Sequence, residues 1–221
     1  MERFNPGPVT VTGMVLSTSP AGDYDRRVVI LTRERGKITA FAKGARRQGS
    51  RLMAATNPFC FGTYKMYEGR TAYNLVEASI TNYFEELRND YDNACLGMYF
   101  LEFADYYTRE NNDEVQMLGL LYQSVKAVCK PSLDNRLVKV IYELKSFVVN
   151  GEFKPVDSNR PMSGSARYTV DFIVNTPIEK LYTFAVSDSV LEEITALADE
   201  YRERFTDRKF KSLDFLNDSG V

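Results

Sequence analysis

Five extended segments in the first eighty residues, a short helical stretch between the third and the fourth, and a change to helical periodicity after Ile80 predict an α+β fold. The expected architecture is a five-stranded Greek-key barrel of the OB-fold type over residues 1–80, followed by a mainly helical domain over 81–221. With 221 residues, 44% of them apolar and 13% aromatic, the chain can bury two cores and is not a disordered polymer.

Each element has its own signal. Thr10 to Ser17 is apolar and β-branched with Gly13 inside it, which predicts a strand that bends or bulges at the glycine. Pro20-Ala21-Gly22-Asp23 ends it. Arg26–Thr32 and Lys37–Lys43 flank Arg35-Gly36-Lys37 and read as a tight hairpin. Leu52 to Thr56 makes the short helix, stopped at Asn57-Pro58 because the residue before a proline is pushed out of the α region. Phe59–Glu68 and Ala72–Ile80 complete the barrel around Glu68-Gly69-Arg70. Beyond it, Leu96, Tyr99, Phe100, Phe103, Ala104 and Tyr107 form an apolar stripe at helical spacing. A second helix opens at Asp113 with Gln116 in the capping-box position, and a third runs from Asp134 to Asn150-Gly151, giving a three-helix bundle. An excursion follows over about 151–186: a Pro, Gly and Ser-rich loop to Arg167, then short extended pieces at Tyr168–Val174 and Leu181–Val186. The last helix begins near Ser189, with Glu192 as its capping partner, and leads into Arg208-Lys209-Phe210-Lys211.

Charge separates the two parts. The net charge is −2, yet residues 1–80 carry twelve lysines and arginines against six acids, and residues 81–221 carry sixteen against twenty-four. The positive charge is concentrated between Asp25 and Arg51, where Arg26, Arg27, Arg33, Arg35, Lys37, Lys43, Arg46, Arg47 and Arg51 face Glu34 as the one acid after Asp25. An ordinary charged surface intersperses both signs, whereas this run repels itself without a partner, which points to a polyanion. In an OB-fold the face around the second and third strands, with its flanking loops, holds nucleic acid, and the basic run falls there. Lys37, Thr39, Phe41 and Lys43 share one face of the third strand and Ile38, Ala40 and Ala42 the other. Phe41 is then either a core residue or an exposed platform for a base, and Tyr24 is a weaker candidate of the same kind.

Other chemistries are excluded or unsupported. There is no histidine, which removes Ser-His-Asp and Cys-His nucleophiles and histidine-bound metals. Cys60, Cys95 and Cys129 are too far apart in sequence for a zinc set and odd in number, so reduced thiols are expected. No Walker-A loop, G-x-S-x-G elbow or cluster of acids for a two-metal site occurs. Glu85-Glu86 and Glu192-Glu193 sit at helix starts, where they complement the dipole. The expectation is a protein that is not an enzyme, with no cofactor, no membrane span and a place in the cytoplasm.

The chain resembles the bacterial DNA-repair protein family RecO. The resemblance lies in Gly13-Met14-Val15-Leu16, Asp25-Arg26, Leu31 to Lys37, Ala42 to Arg46, Ser50-Arg51, Leu87-Arg88 and Phe210-Lys211-Ser212-Leu213, and is most specific from Leu31 to Arg51. It implies an OB-fold, a helical C-terminal domain and no active site. It also implies binding of single- and double-stranded DNA, annealing of complementary strands and, with RecR, the loading of a RecA-type recombinase onto DNA coated by the single-stranded-DNA-binding protein, SSB. A protein with that role works on the nucleoid. Many members hold a four-cysteine zinc site in the region aligned with Gly151 to Thr183, where this chain has no cysteine, so the metal is not carried over. The family's helical domain docks the acidic SSB tail; Arg202, Arg204, Arg208, Lys209 and Lys211 are candidates on charge alone.

Two rival functions use the same residues. The barrel is alternatively an adapter for an acidic protein, or a module for single-stranded RNA.

Overall fold

A computed structural model describes residues 7–219. The chain divides into two compact units, one formed by residues up to 85 together with 104–118, the other by 86–103 together with 119–221. The cut therefore falls inside two helices, α2 (Tyr91–Tyr107) and α3 (Val115–Val128).

In the first unit the strands are β1 (Val9–Ala21), β2 (Asp25–Thr32), β3 (Gly36–Ala42), β4 (Phe61–Glu68) and β5 (Tyr73–Asn82), with helix α1 (Leu52–Ala55) between β3 and β4. They close into a barrel in the order β1-β2-β3-β5-β4, with β3 and β5 parallel and every other pair antiparallel. This is the OB-fold predicted from the element order. Alternation does the sorting: Ile38, Ala40 and Ala42 of β3 point inward with Val28 and Ile30 of β2, Tyr64 and Met66 of β4, and Tyr73 and Leu75 of β5. Lys37, Thr39 and Phe41 are left outside the core.

Gly13 is not the bulge. The register of β1 against β2 shifts between Val15 and Ser17, so Leu16 is the extra residue. The Val15 carbonyl there accepts from the Phe59 N–H and its N–H donates to the Cys60 carbonyl, each at 3.0 Å. Gly13 lies opposite Thr32 on one side and Gly62 on the other. A Cβ on it would come within 2.2 Å of the Leu31 carbonyl oxygen, so glycine is needed for close approach of the backbones. Gly36 closes the β2–β3 hairpin at φ +64°, and residues 104–118 pack so tightly over it that a Cβ would sit 2.3 Å from the Arg109 carbonyl oxygen.

The second unit contains the first part of α2, the rest of α3, α4 (Asn135–Val149), α5 (Gly164–Asn175), α6 (Asp188–Phe205) and α7 (Lys211–Ser219). Asp134 caps α4 by accepting from the Arg136 N–H at 2.8 Å, and Gly151 at φ +72° follows its end. Residues 168–174, expected to be extended, are instead helical within α5. Ala166, Thr169, Val170 and Ile173 are buried at helical spacing, and the Ser163 hydroxyl caps the Ala166 N–H at 3.2 Å. Leu181–Val186 is not a strand either; it follows a single 3₁₀ turn at Ile178–Lys180. Neither expected capping box forms. Asp113 accepts from the Val115 N–H, and Ser187 ahead of α6 makes no side-chain cap bond. Helix α7 was not anticipated.

No group of three or more cysteines and carboxylates placed to hold a metal ion occurs among the described residues. The loop before α5 is pinned by side chains. Arg167 donates to the carbonyls of Asp157, Ser158 and Arg160, and the Tyr201 hydroxyl bonds both the N–H and the carbonyl of Lys154. Phe153 stacks on Tyr201 with ring centres 5.2 Å apart. Deeper in the unit Glu143 is fully buried, bonded by the Tyr99 hydroxyl, by Arg202 at 2.9 Å and by Lys139 at 3.2 Å. Burial pushes its carboxyl up, but the two cations outweigh that and hold it below its ordinary value. No helix among the described residues is long and apolar enough to cross a membrane.

Gly13→Ala is expected to lower stability by about 1–3 kcal/mol or more through overpacking. Gly119→Ala, in α3 with nothing within 4 Å, is expected to be neutral or to stabilise by up to about 1 kcal/mol. Urea midpoints of the two variants check the contrast.

Candidate nucleic-acid interface

The barrel register divides the nine cations between its two ends. Six registered steps separate the Thr32/Gly36 pair from the Arg26/Ala42 pair, about 20 Å along the strands at roughly 3.3 Å per residue.

At the hairpin end stand Arg33, Arg35 and Lys37. The Lys37 ammonium is paired with the Asp105 carboxylate at 3.1 Å and also donates to the Asp105 carbonyl. Burial pushes the Tyr73 hydroxyl up against the opposing pull of the nearby Arg35 guanidinium. The Arg35 carbonyl takes the Asn111 N–H at 3.0 Å, while the Lys37 N–H donates to the Arg109 carbonyl at 2.9 Å. Glu34 accepts from the Thr12 N–H, Glu110 bridges to Gly36, and Glu114 accepts from the Arg109 N–H. Arg33 is exposed. This end is therefore covered by residues 105–112, and of its three cations Lys37 alone is ion-paired among the described residues.

The opposite end is different. The β1–β2 turn and the loop from Gly44 to Ser50 close on one another there. The Arg46 N–H donates to the Tyr24 carbonyl at 2.8 Å, its guanidinium reaches the Gly22 carbonyl at 3.3 Å, and Asp25 accepts from the Gly44 N–H at 2.7 Å. The Arg47 guanidinium lies 4.9 Å from the ring centre of Tyr24, which is 54% exposed. Arg27, Lys43, Arg46, Arg47 and Arg51 are all exposed, and none is ion-paired among the described residues. Arg26 belongs to this end by position but is half-buried, and one guanidinium nitrogen donates to the Met53 carbonyl, the Thr56 hydroxyl and the Asn57 side-chain oxygen at 2.8–3.0 Å. It fastens α1 to the barrel rather than facing solvent.

Phe41 lies outside the core and half-buried. Its cross-strand neighbours are Arg27 in β2 and Asn74 in β5, and Asn74 in turn faces Tyr67 in β4, while Ser19 of β1 faces Arg27. Side chains at paired positions share a face, so Ser19, Arg27, Phe41, Asn74 and Tyr67 form one row across the outside of the barrel. Tyr67 is 41% exposed. Tyr67 and Asn74 were not singled out from sequence; the outward alternation of Thr63, Lys65 and Tyr67 was readable, but their position beside Phe41 depends on the parallel β3–β5 pairing.

Comparison with known proteins follows this geometry. Residues 8–84, the whole barrel, match the family model described as Recombination protein O N terminal. The barrel is thus similar to the RecO N-terminal domain. Similarity to RecO extends over most of the chain: it is 23% identical to the DNA repair protein RecO of Acetivibrio thermocellus, covering 93% of this chain and 94% of that protein. The protein of the same description from Clostridium novyi is 26% identical over 92% and 91% of the two chains, and that from Halalkalibacterium halodurans 31% identical over 63% and 54%.

In the second unit Arg202 is held by Glu143 at 2.9 Å and by Asp199 at 2.7 Å. With Arg208 and Lys209 it lines a groove of about 400 Å³ that also holds Phe210, Leu213 and the acids Glu203 and Asp214.

Arg26→Ala in the barrel is expected to cost about 1–3 kcal/mol, because it strips charged hydrogen bonds from the end of α1. Arg46→Ala should stay within about 0.5 kcal/mol of the parent. Equal urea midpoints for the two variants would refute the structural role of Arg26.

Proposed function

We propose that the chain is a recombination mediator of DNA repair. It binds single- and double-stranded DNA, anneals complementary strands and, with RecR, helps a RecA-type recombinase onto single strands coated by SSB. The observation that carries this reading is the group of five exposed cations, Arg27, Lys43, Arg46, Arg47 and Arg51, at one barrel end, where the nearby acids are Asp23 and an Asp25 that already accepts a backbone N–H. The similarity to proteins described as DNA repair protein RecO supplies the biological setting.

The mechanism needs no bond making. Two strands brought together repel through their phosphates, and cations lower that repulsion while leaving base edges free to pair. Arg46 and Arg47 are adjacent in one loop, so each is placed to meet a different strand. Lys37 contributes little in this account, because its charge is met within the unit by Asp105. For the acidic SSB tail the helical unit offers the groove where Arg202, Arg208 and Lys209 outnumber the acids Glu203 and Asp214. The place of work is the cytoplasm, on the nucleoid.

Five phosphate contacts on a single strand give a slope of about −3.5 in log affinity against log salt, on the order of a hundredfold between 50 and 200 mM. Arg46→Ala/Arg47→Ala should flatten that slope to about −2 and slow annealing. An unchanged slope and rate in the double variant, measured by anisotropy with poly-dT and by strand-annealing kinetics, would remove the loop from the function. Failure of the parent to bind DNA at 50 mM salt, with binding to an acidic peptide, would replace the reading by the adapter one.

A further inference from the structure

The outer row of the barrel holds a feature that the cation account leaves unused. Phe41 and Tyr67 sit on β3 and β4, two strand spacings apart with β5 between them. That separation is about 10 Å at roughly 4.8 Å per strand. The same row places the Asn74 side chain between the rings and Arg27 on the far side of Phe41. The Arg27 guanidinium is braced at 3.2 Å by the Thr39 hydroxyl of the neighbouring strand. Gly69, in the β4–β5 turn, lies against the Asn74 amide: a Cβ there would be 3.3 Å from its nitrogen.

Neither ring is needed inside the barrel. Its core is filled by the opposite face of the same strands, including Tyr64 and Met66 beside Tyr67 and Ala40 and Ala42 beside Phe41. Two aromatic rings on a half-exposed outer surface, flanked by a guanidinium and an amide, match the needs of unpaired bases: faces for the bases, a cation for the phosphate and donors and acceptors for base edges. The spacing decides which form of nucleic acid fits. Stacked bases rise by about 3.4 Å, so rings about 10 Å apart cannot cover neighbouring bases of a duplex, whose faces are in any case occupied by one another. An unstacked strand presents bases far enough apart.

We propose that Phe41 and Tyr67 are paired stacking platforms for unpaired bases of single-stranded DNA, with Asn74 between them contacting base edges and Arg27 the backbone. This rests on the DNA-binding reading above and deepens it by dividing the work. The outer row selects single strands, and the loop end with Lys43, Arg46, Arg47 and Arg51 holds backbone of either form. A mediator so built keeps its grip on one strand by the bases while the loop end takes up a second backbone.

The test uses the full chain with Tyr67→Ala and, separately, Phe41→Leu, which keeps apolar bulk and removes the ring. Anisotropy is read with a labelled dT oligomer and with a duplex of equal length. Each variant is expected to lose roughly five- to a hundredfold in affinity for the single strand. Affinity for the duplex should stay within about twofold, with the parent's salt slope retained. Single-strand affinities of both variants within about twofold of the parent, or equal losses on single strand and duplex, would overturn the inference and leave DNA binding by the loop end standing. A parent that binds neither probe overturns the DNA reading itself.

Discussion

Closure of the barrel is the constraint from which the surface follows. Once β4 pairs back to β1 there is a single interior, and Val11, Val28, Ile30, Ile38, Tyr64, Met66 and Leu75 fill it. Because strands alternate with period two, every side chain committed to that interior sends its neighbours outward. The outer row is thus fixed by the packing of the inner one: moving Phe41 inward would turn Ile38, Ala40 and Ala42 out and bring Lys37 and Thr39 into the core. Gly13 of β1 and Gly62 of β4 allow close backbone approach, the first to Leu31 and Thr32 of β2 and the second to Ser79 and Ile80 of β5.

Closure also decides what the positive charge can do. A continuous basic run in sequence becomes two separate groups, because β2 and β3 carry its members to opposite ends. Residues 104–118 cover the hairpin end, bringing Asp105 to Lys37 and carbonyls to the hairpin backbone, so the charge of Lys37 serves cohesion within the unit. At the other end Asp25 is used by the Gly44 N–H, Arg26 is used by α1, and the remaining cations face water beside Tyr24. The proposed interaction surface is smaller than the sequence run and lies at one end.

The barrel was legible because each of its strands is bounded by turn residues and the β3 alternation is unbroken. The basic face was legible as composition and not as geometry, since the pairing of Lys37 with Asp105 spans 68 positions and leaves no local trace. Gly13 misled because a glycine in a strand signals either a bulge or a close contact, and only the partner strand tells which. The stretch Tyr168 to Val174 alternates apolar and polar residues in a way that suits a strand, yet Ala166, Val170 and Ile173 suit a helix equally; the Ser163 cap settles it. Tyr67 and Asn74 became neighbours of Phe41 through a parallel pairing between strands separated by α1 and β4, which no local pattern encodes.

Backbone hydrogen exchange of the full chain with and without a dT oligomer tests the central claim most directly. The account expects slowed exchange in residues 22–24 and 44–51, the two loops at the basic end, with no change in 33–36. Slowed exchange at 33–36 and 105–112, with the basic loops unaffected, would contradict it.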